Sequence, residues 1–488
     1  MIELILSVNN FWQHSNAHIF SPKLQETIKN ILENNVVIIN DPNTYYRNIT
    51  LFEKTFNIIN QYETSNVKTD YNNIHFVSSF QNALKMALDM YFDKKIEKVF
   101  VFNDMYDFVL NSVLTSKVHV IQYNVKTQYN EVPIFNKEIL FKNFCCDMSI
   151  EKIIKDYTFS YEGKFEGKLD DYFFTSPIGK YLVFNSFGKY KGENQYLNLL
   201  FDIMKNGHRR QTRNSITRSL FAGSMTYDLA DGFPLLTTKK LPARWIWEEL
   251  MFFLSGQTDT NILSKKGITI WESNTTREFL DNKGLSHYEV GDMGPIYGFP
   301  LRHAGCKYEG MNSDYNGKGF DQLMYVINTI ISDPYSRRIV MTTFEPSQAP
   351  LGVLYPCHGL IINFQIDGDN RLNCIMHQRS VDSAVGLPFN IASYAMLIYI
   401  IIELVNNSDK FKGEKIIPGK LTLNMGDMHI YEQDDHIALV KEQLIRTTLK
   451  FPTFKFKEKV NKLEDMKWDN IEILDYNSHP SIKVKMVA

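Results

Sequence analysis

Leu354-Tyr-Pro-Cys-His-Gly359, running on into Leu360-Ile-Ile-Asn-Phe-Gln365, is the stretch on which the reading of this chain turns. Pro356 restricts the backbone before Cys357, His358 follows it, and the apolar run beyond reads as a strand. Most buried intracellular cysteines only fill space, but one set in a loop that feeds a strand is a candidate nucleophile. A second strand, Arg371-Leu-Asn-Cys-Ile-Met-His377, comes next, followed by Gln378-Arg-Ser380, Asp382 and Gly386-Leu-Pro-Phe-Asn390. Together these supply a guanidinium, a hydroxyl, a carboxylate and a carboxamide, the parts needed to grip a phosphorylated heterocycle. A free thiol ionises near pH ~8.5, so a nucleophilic Cys357 calls for a nearby cation, and Arg379 is the candidate. The planar fork of arginine suits phosphate, which draws attention to Arg213, Arg337 and Arg338 as well, although any one of them alone reads more readily as a solvated surface residue.

Outward from this stretch, helical patterns (Tyr196 to Met204, Trp245 to Leu254, Phe320 to Ile331, Phe389 to Leu404, Ile430 to Arg446) stand apart from the hairpin-like strand pair. Such segregation is the mark of an α+β domain. The first half is different. Apolar runs at Ile2 to Val8, Val36 to Ile39, Ile74 to Val77, Lys98 to Phe102, Val118 to Tyr123 and Tyr181 to Phe184 alternate with amphipathic stretches at Phe80 to Tyr91 and Met105 to Leu114. Strand and helix taking turns predicts an α/β sheet. The glycine- and lysine-rich Gly188-Lys-Tyr-Lys-Gly192 marks the joint, giving domains at 1–187 and 193–488 with a short linker at 188–192.

At 488 residues the chain is too long for one ordinary core. A net charge of -2 and a pI near 6.6 give no general attraction for nucleic acid or an anionic membrane, so any anion must be held locally. The 5 cysteines lack metal-ligand spacing, and Met1-Ile-Glu-Leu opens without a basic signal region, so a reducing, cytoplasmic setting and no metal are expected. Ile391 to Ile402 is very apolar, but Glu403 ends it too early for a membrane span, which makes it a buried core helix.

In order along the chain stand Asp231-Gly-Phe-Pro-Leu-Leu-Thr-Thr-Lys-Lys240, Glu248-Glu-Leu-Met-Phe-Phe-Leu-Ser-Gly256, Gly291-Asp-Met-Gly-Pro-Ile-Tyr-Gly298, Asp333-Pro-Tyr-Ser-Arg-Arg338, the Cys357 loop, Gln378-Arg-Ser380, Gly386 to Tyr394, and Gly426-Asp-Met-His-Ile-Tyr431. From about Glu193 to Ala488 this series resembles thymidylate synthase. The resemblance implies that Cys357 attacks carbon 6 of the uracil ring of dUMP, and that methylenetetrahydrofolate supplies the one-carbon unit and a hydride. It assigns phosphate binding to Arg213, Arg379 and Ser380, joined by Arg337 and Arg338 from the other subunit of a homodimer, and adds Gln378 to the substrate contacts. Glu249 becomes a proton-relay carboxylate, with Tyr297 and His358 beside it, although either Glu248 or Glu249 could equally be a surface charge. Asn390 would read the uracil edge, His429 and Tyr431 the sugar hydroxyl, and Asp382 the pterin. Ile270, Trp271, Leu354, Gly386, Phe389 and the tail residue Val487 would wall the folate, with Lys239 near its glutamate. The loop Arg213-Asn-Ser-Ile-Thr217 departs from the family's Arg-Thr-Gly-Thr-Gly.

The first half resembles a diverged dihydrofolate reductase, as in fused protist enzymes that carry both activities. Ser21-Pro-Lys-Leu-Gln-Glu26 lacks the expected carboxylate in register. Phe102-Asn103-Asp104 stands where a glycine pair lets a dinucleotide approach, and Asp41 replaces a basic residue. A reductase-like scaffold without catalysis is expected. Two alternatives remain: an active, NADPH-dependent reductase domain, or a non-catalytic RNA-binding or regulatory protein.

Overall fold

The computed structural model describes residues 191–213 and 215–485 throughout. In the first half it describes 2–7, 32, 35–39, 56–60, 74–77, 80–94, 96, 98–102, 115–122, 144–146 and 180–186. The expected helix from Met105 to Leu114, the stretch Ser21 to Glu26, Asp41, Asn103, Asp104 and Val487 lie outside the described residues. Contacts divide the chain into Met1–Tyr190 with Lys441–Thr448, and Lys191–Val440 with Leu449–Ala488.

In the first unit, β1 (Ile2–Ser7), β2 (Val36–Ile39), β3 (Phe56–Asn60), β4 (Ile74–Val77), β5 (Val99–Phe102), β6 (Thr115–Gln122), β7 (Phe144–Cys146) and β8 (Lys180–Ser186) form one sheet in the order β4-β3-β2-β5-β1-β6-β8-β7. From β4 to β6 the pairings are parallel, while β8 runs antiparallel to β6 and β7. Val36–Ile39 is buried at every position, as a strand covered on both faces must be. Helix α1 (Phe80–Phe92) buries Ala83, Leu84, Ala87 and Leu88, which recur three and four apart.

The second unit holds a six-stranded sheet in the order β11-β12-β13-β14-β10-β9. Its strands are β9 (His208–Gln211), β10 (Ile216–Asp228), β11 (Val340–Met341), β12 (Ile361–Ile366), β13 (Arg371–Asp382) and β14 (Ile417–Tyr431). Only β13 and β14 pair in parallel. The helices in chain order are α2 (Asn194–Asn206), α3 (Ala243–Leu254), α4 (Asn261–Ser264), α5 (Arg277–Asn282), α6 (Gly298–His303), α7 (Gln322–Ser332), α8 (Gly386–Asn406) and α9 (His436–Leu444). Along β13 the side chains alternate, Leu372, Cys374, Met376 and Gln378 being buried while Ile375 and Arg379 are exposed. The strand therefore ends by delivering Gln378 to Asp382 beside the start of α8.

Helix α8 is long and apolar enough to cross a membrane, but most of its residues are packed inside the unit, from Leu387 to Val405, so it is a core helix. Pro388 lies in its first turn, where its missing N–H breaks no helical bond. The expected helix from Ile430 to Arg446 begins later. Ile430 and Tyr431 close β14 by pairing with Arg218 and Thr217, and Asp434 and Asp435 take left-handed φ values of 54° and 64° before α9 starts at His436. Sheet pairing here overrides the apolar spacing that suggested a helix. Neither of the longest strands, β10 and β14, was marked by the sequence patterns.

At the start of this unit the Glu193 carboxylate is buried. It accepts hydrogen bonds from the backbone N–H and hydroxyl of Thr237 (2.8 and 2.6 Å) and of Thr238 (2.8 and 2.5 Å). Burial pushes this carboxyl above its usual range, and the four donors pull it back.

Candidate active site

A cavity of about 590 Å³ opens where the end of β13, the start of α8 and the loop before β12 meet. Cys357 borders it. Its Sγ lies 3.3 Å from the Tyr297 hydroxyl, and its backbone N–H donates to the same oxygen at 3.1 Å. Tyr297 is 2% exposed, sandwiched between Phe253 and the His358 ring, and it holds a left-handed φ of 50° at the start of α6. A bulky residue in that conformation is strained and persists only where its surroundings fix it. Here that fixation keeps a phenol against the thiol.

Burial pushes the Cys357 thiol up, while the Tyr297 hydrogen bond and the Arg379 charge pull it down. The net direction is upward, because removing water costs the anion more than one guanidinium returns. Arg379 acts in the expected sense on the thiol, but burial sets the net direction. Its backbone N–H also donates to the Cys357 carbonyl at 2.7 Å, which locks the nucleophile loop to β13.

Helix α3 separates its two adjacent glutamates, since neighbours on a helix point about 100° apart. Glu248 forms an ion pair with Lys266 at 2.6 Å, and Glu249 lines the cavity. The Trp271 indole N–H donates to Glu249 Oε1 at 2.8 Å, and burial raises this carboxyl to about 7. The two glutamates thus differ in place: Glu248 is held by Lys266, and Glu249 faces the cavity. His358 Nδ1 lies 2.9 Å from the Tyr394 hydroxyl, and burial pushes its ring down to about 3, leaving it neutral.

Arg213, Gln378, Ser380, Asp382 and Asn390 border the same cavity, as do His429 and Tyr431. Asp382 Oδ1 accepts the backbone N–H groups of Ala384 and Val385 at 2.9 and 3.1 Å, which pins it at the start of α8. Gln378 Oε1 is buried without a hydrogen-bond partner, and among the described residues no protein group engages the Asn390 carboxamide. His429 Nδ1 contacts Asp427 at 2.9 Å, and burial lowers its ring. The apolar wall is made by Ile270, Trp271, Leu354, Gly386 and Phe389.

Three of the expected residues stand elsewhere. Lys239 is 5% exposed and lies outside the cavity lining; its ammonium donates to the Ala384 carbonyl at 2.6 Å, so it braces the turn before α8. A buried ammonium needs such an acceptor. Arg337 and Arg338 are exposed and do not line the cavity of their own chain.

The cavity also contains residues that sequence reasoning missed: Asn274, Lys283, Tyr355, Val381 and Val385. Asn274 is 5% exposed and its Nδ2 is buried without a hydrogen-bond partner. Lys283 ends α5, and its ammonium is lowered by burial and by the Arg213 charge. No motif marked the segment from Glu272 to Leu285; only the fold brings it to Arg213.

Residues 194–488 match the sequence model of the family described as Thymidylate synthase. Over 309 residues the chain is 43% identical to the thymidylate synthase of Saccharomyces cerevisiae, an alignment covering 61% of this chain and 98% of that protein. Over 298 residues it is 42% identical to the thymidylate synthase of Homo sapiens, covering 61% of this chain and 91% of that protein. It is also similar to the bifunctional dihydrofolate reductase-thymidylate synthase of Leishmania major, at 41% over 299 residues, with 61% of this chain and 55% of that protein covered. The matched region spans every element that builds the cavity, from Arg213 to Tyr431, and on that ground the chain belongs to the thymidylate synthase family.

Proposed function

We propose a division of labour within the cavity for the reaction of this thymidylate synthase, a methyltransferase that converts dUMP to dTMP with methylenetetrahydrofolate. Cys357 is the nucleophile toward carbon 6 of the pyrimidine. The observation that carries this reading is the convergence of Cys357, Tyr297, Arg379 and Asn390 on one cavity. A phosphate monoester carries about -1.5 to -2 charges near pH 7, and its arrival beside Arg379 and Arg213 completes an ionic cluster. Attack by the thiolate passes electrons to the carbonyl side of the ring and makes carbon 5 nucleophilic toward the one-carbon unit. Glu249, poised to exchange a proton near neutrality, serves the proton transfers through its neighbours; loss of the carbon 5 proton releases the folate nitrogen from the one-carbon unit, the folate then gives that unit its hydride and leaves as dihydrofolate, and the Cys357 sulfur departs from carbon 6. Asn390 both donates and accepts, which matches the N3–H and O4 edge of uracil and opposes the pattern of cytosine. Asp382 faces the pterin, and Trp271, Ile270, Leu354 and Phe389 pack on the folate. Cys357→Ser is expected to cut dTMP formation on the order of a thousandfold or more while dUMP binding, measured by equilibrium dialysis, stays within about threefold. Retained turnover would end the assignment.

The protein is proposed to act as a homodimer, with Arg337 and Arg338 of one copy completing the phosphate site of the other. Their exposure away from their own cavity supports this, as does the outer face of the sheet, where Val340, Ile361 and Ile375 are 42%, 49% and 38% exposed. Val340 and Ile375 flank Asn363 on the neighbouring strands and Ile361 lies two residues before it, so these side chains share one sheet face that a second copy would cover. For the first unit we propose a dihydrofolate-reductase-like scaffold that has lost catalysis. An eight-stranded, largely parallel sheet with its first strand in the interior fits that α/β reading. NADPH oxidation with dihydrofolate, assayed on the full chain, is expected to be absent. A cytoplasmic setting is proposed because Cys357 must stay reduced, and Cys306, Cys357 and Cys374 are free thiols. With a net charge of -2 the proposal includes no nucleic-acid partner.

A further inference from the structure

Beside His429 and Tyr431 stand two charged residues that the roles above leave unused, Asp427 and Arg210. Asp427, His429 and Tyr431 alternate along β14 and so share one face of the sheet. Arg210, in β9, pairs with Thr217 of β10, which pairs in turn with Tyr431. That register puts the guanidinium on the same face, where it forms an ion pair with Asp427 Oδ2. The other carboxylate oxygen, Oδ1, lies 2.9 Å from His429 Nδ1. A carboxylate paired with a guanidinium only accepts, so Nδ1 carries the hydrogen. Burial lowers the ring toward its neutral form, the Arg210 and Arg379 charges act in the same sense, and Asp382 opposes them. A neutral imidazole with its hydrogen on Nδ1 offers only a lone pair at Nε2. Among the described residues no protein group engages Nε2, and His429 borders the cavity. The ring therefore presents an acceptor to a ligand there, and not a donor.

We propose that Asp427, held in turn by Arg210, is a positioning residue that fixes the direction of the hydrogen bond at the sugar, so that His429 selects a nucleotide whose 3′-hydroxyl donates. The proposal rests on the reading of His429 as the sugar contact and adds what sets its polarity. Asp427 and Arg210 both act through the imidazole. Without the carboxylate the ring divides between two tautomers, and the one with its hydrogen on Nε2 opposes a donating hydroxyl. Because the tie joins strands of a single sheet, the direction is set before a nucleotide arrives.

Dissociation constants for dUMP, its 3′-deoxy form and its 3′-fluoro form, measured by equilibrium dialysis on the full chain, test the assignment. Fluorine accepts weakly and cannot donate, so wild type should bind both analogues about tenfold or more weakly than dUMP. Asp427→Ala should bring this ratio down to about twofold by weakening dUMP, with the analogues within about twofold of their wild-type values. General damage to the site would instead weaken all three ligands alike. Asp427→Asn, whose carboxamide oxygen still accepts from Nδ1–H, should keep an intermediate ratio. Arg210→Ala should lower the ratio only about two- to threefold, because the Arg210 side chain is half exposed, and should add nothing to Asp427→Ala. A 3′-fluoro form that binds as well as dUMP would overturn the direction of the bond. An unchanged ratio in Asp427→Ala, or equal losses for all three ligands, would overturn the role of Asp427, and an unchanged ratio in Arg210→Ala removes Arg210 from it. If Asp427→Ala does not fold, Asp427→Asn and Arg210→Ala are judged by the same ratio, and wild-type values in both count against the tie. A wild-type ratio in His429→Ala would sink His429 as the sugar contact, whereas a collapsed ratio there beside a wild-type ratio in Asp427→Ala sinks the positioning alone.

Discussion

At Glu249, burial and a single indole donor set the acid–base behaviour of the site. The carboxyl sits near 7 instead of its usual 4.5, so between those values the folded protein holds a proton that the unfolded chain has lost. The folded state is favoured below 4.5, and this contribution fades as pH rises through about 7. Glu249→Gln should therefore be progressively more stable relative to wild type as pH climbs through that window, read as the difference in urea midpoint. Kinetically, the profile of kcat/KM against pH should bend near 7, and the Gln variant should lose that bend together with about 10²- to 10⁴-fold in rate. A wild-type profile without an inflection between about 6 and 8 would remove Glu249 from the proton path. His358, pushed far below neutrality, titrates outside this range and cannot mimic the effect.

Between residue and molecule, the loop from Leu354 to Gly359 works because its two ends are fixed. Arg379 N–H clamps the Cys357 carbonyl, and Gly359 turns the chain into β12 with a left-handed φ of 70°. A Cβ at Gly359 would lie 2.5 Å from the Tyr394 hydroxyl, the group that partners His358, and 2.8 Å from Thr343 Cγ2. Gly359→Ala is thus expected to cost about 1–3 kcal/mol of stability, seen as a lowered urea midpoint. Because the displaced hydroxyl belongs to the His358 and Cys357 neighbourhood, kcat should fall more than dUMP affinity. Helix α3 shows the same economy of placement: its geometry sends Glu248 to Lys266 and Glu249 into the cavity without any change of residue type.

Across the whole molecule, the exposed Arg337 and Arg338 and the exposed Val340, Ile361 and Ile375 on one sheet face make a dimer testable. If each site joins Cys357 of one copy to these arginines of the other, Cys357→Ser and Arg337→Ala/Arg338→Ala proteins are each nearly inactive alone. Mixed equally and allowed to exchange subunits, they should recover about a quarter of wild-type activity, since half of the dimers then hold one intact site. No recovery, with exchange verified by mass, would overturn the sharing of the site between copies, and an active Arg337→Ala/Arg338→Ala protein would place both arginines outside it. Much of this protein was legible in the chain itself. Cys357, Gln378 to Asp382 and Asn390 lie within one short span, and six runs in the first half coincide with strands, because apolar periodicity and motif order are local properties. Asn274 and Lys283 carried no such signal, for what makes them cavity residues is the path of the segment around α5 toward Arg213. The resemblance puts Lys239 near the folate's glutamate, and the structure adds that its ammonium donates to the Ala384 carbonyl, which a lysine's place within a motif does not reveal. The sequence by itself determined which chemical groups the protein carries; only the tertiary structure decided which of them face the cavity, because burial, charge and hydrogen bonding are set by neighbours distant along the chain.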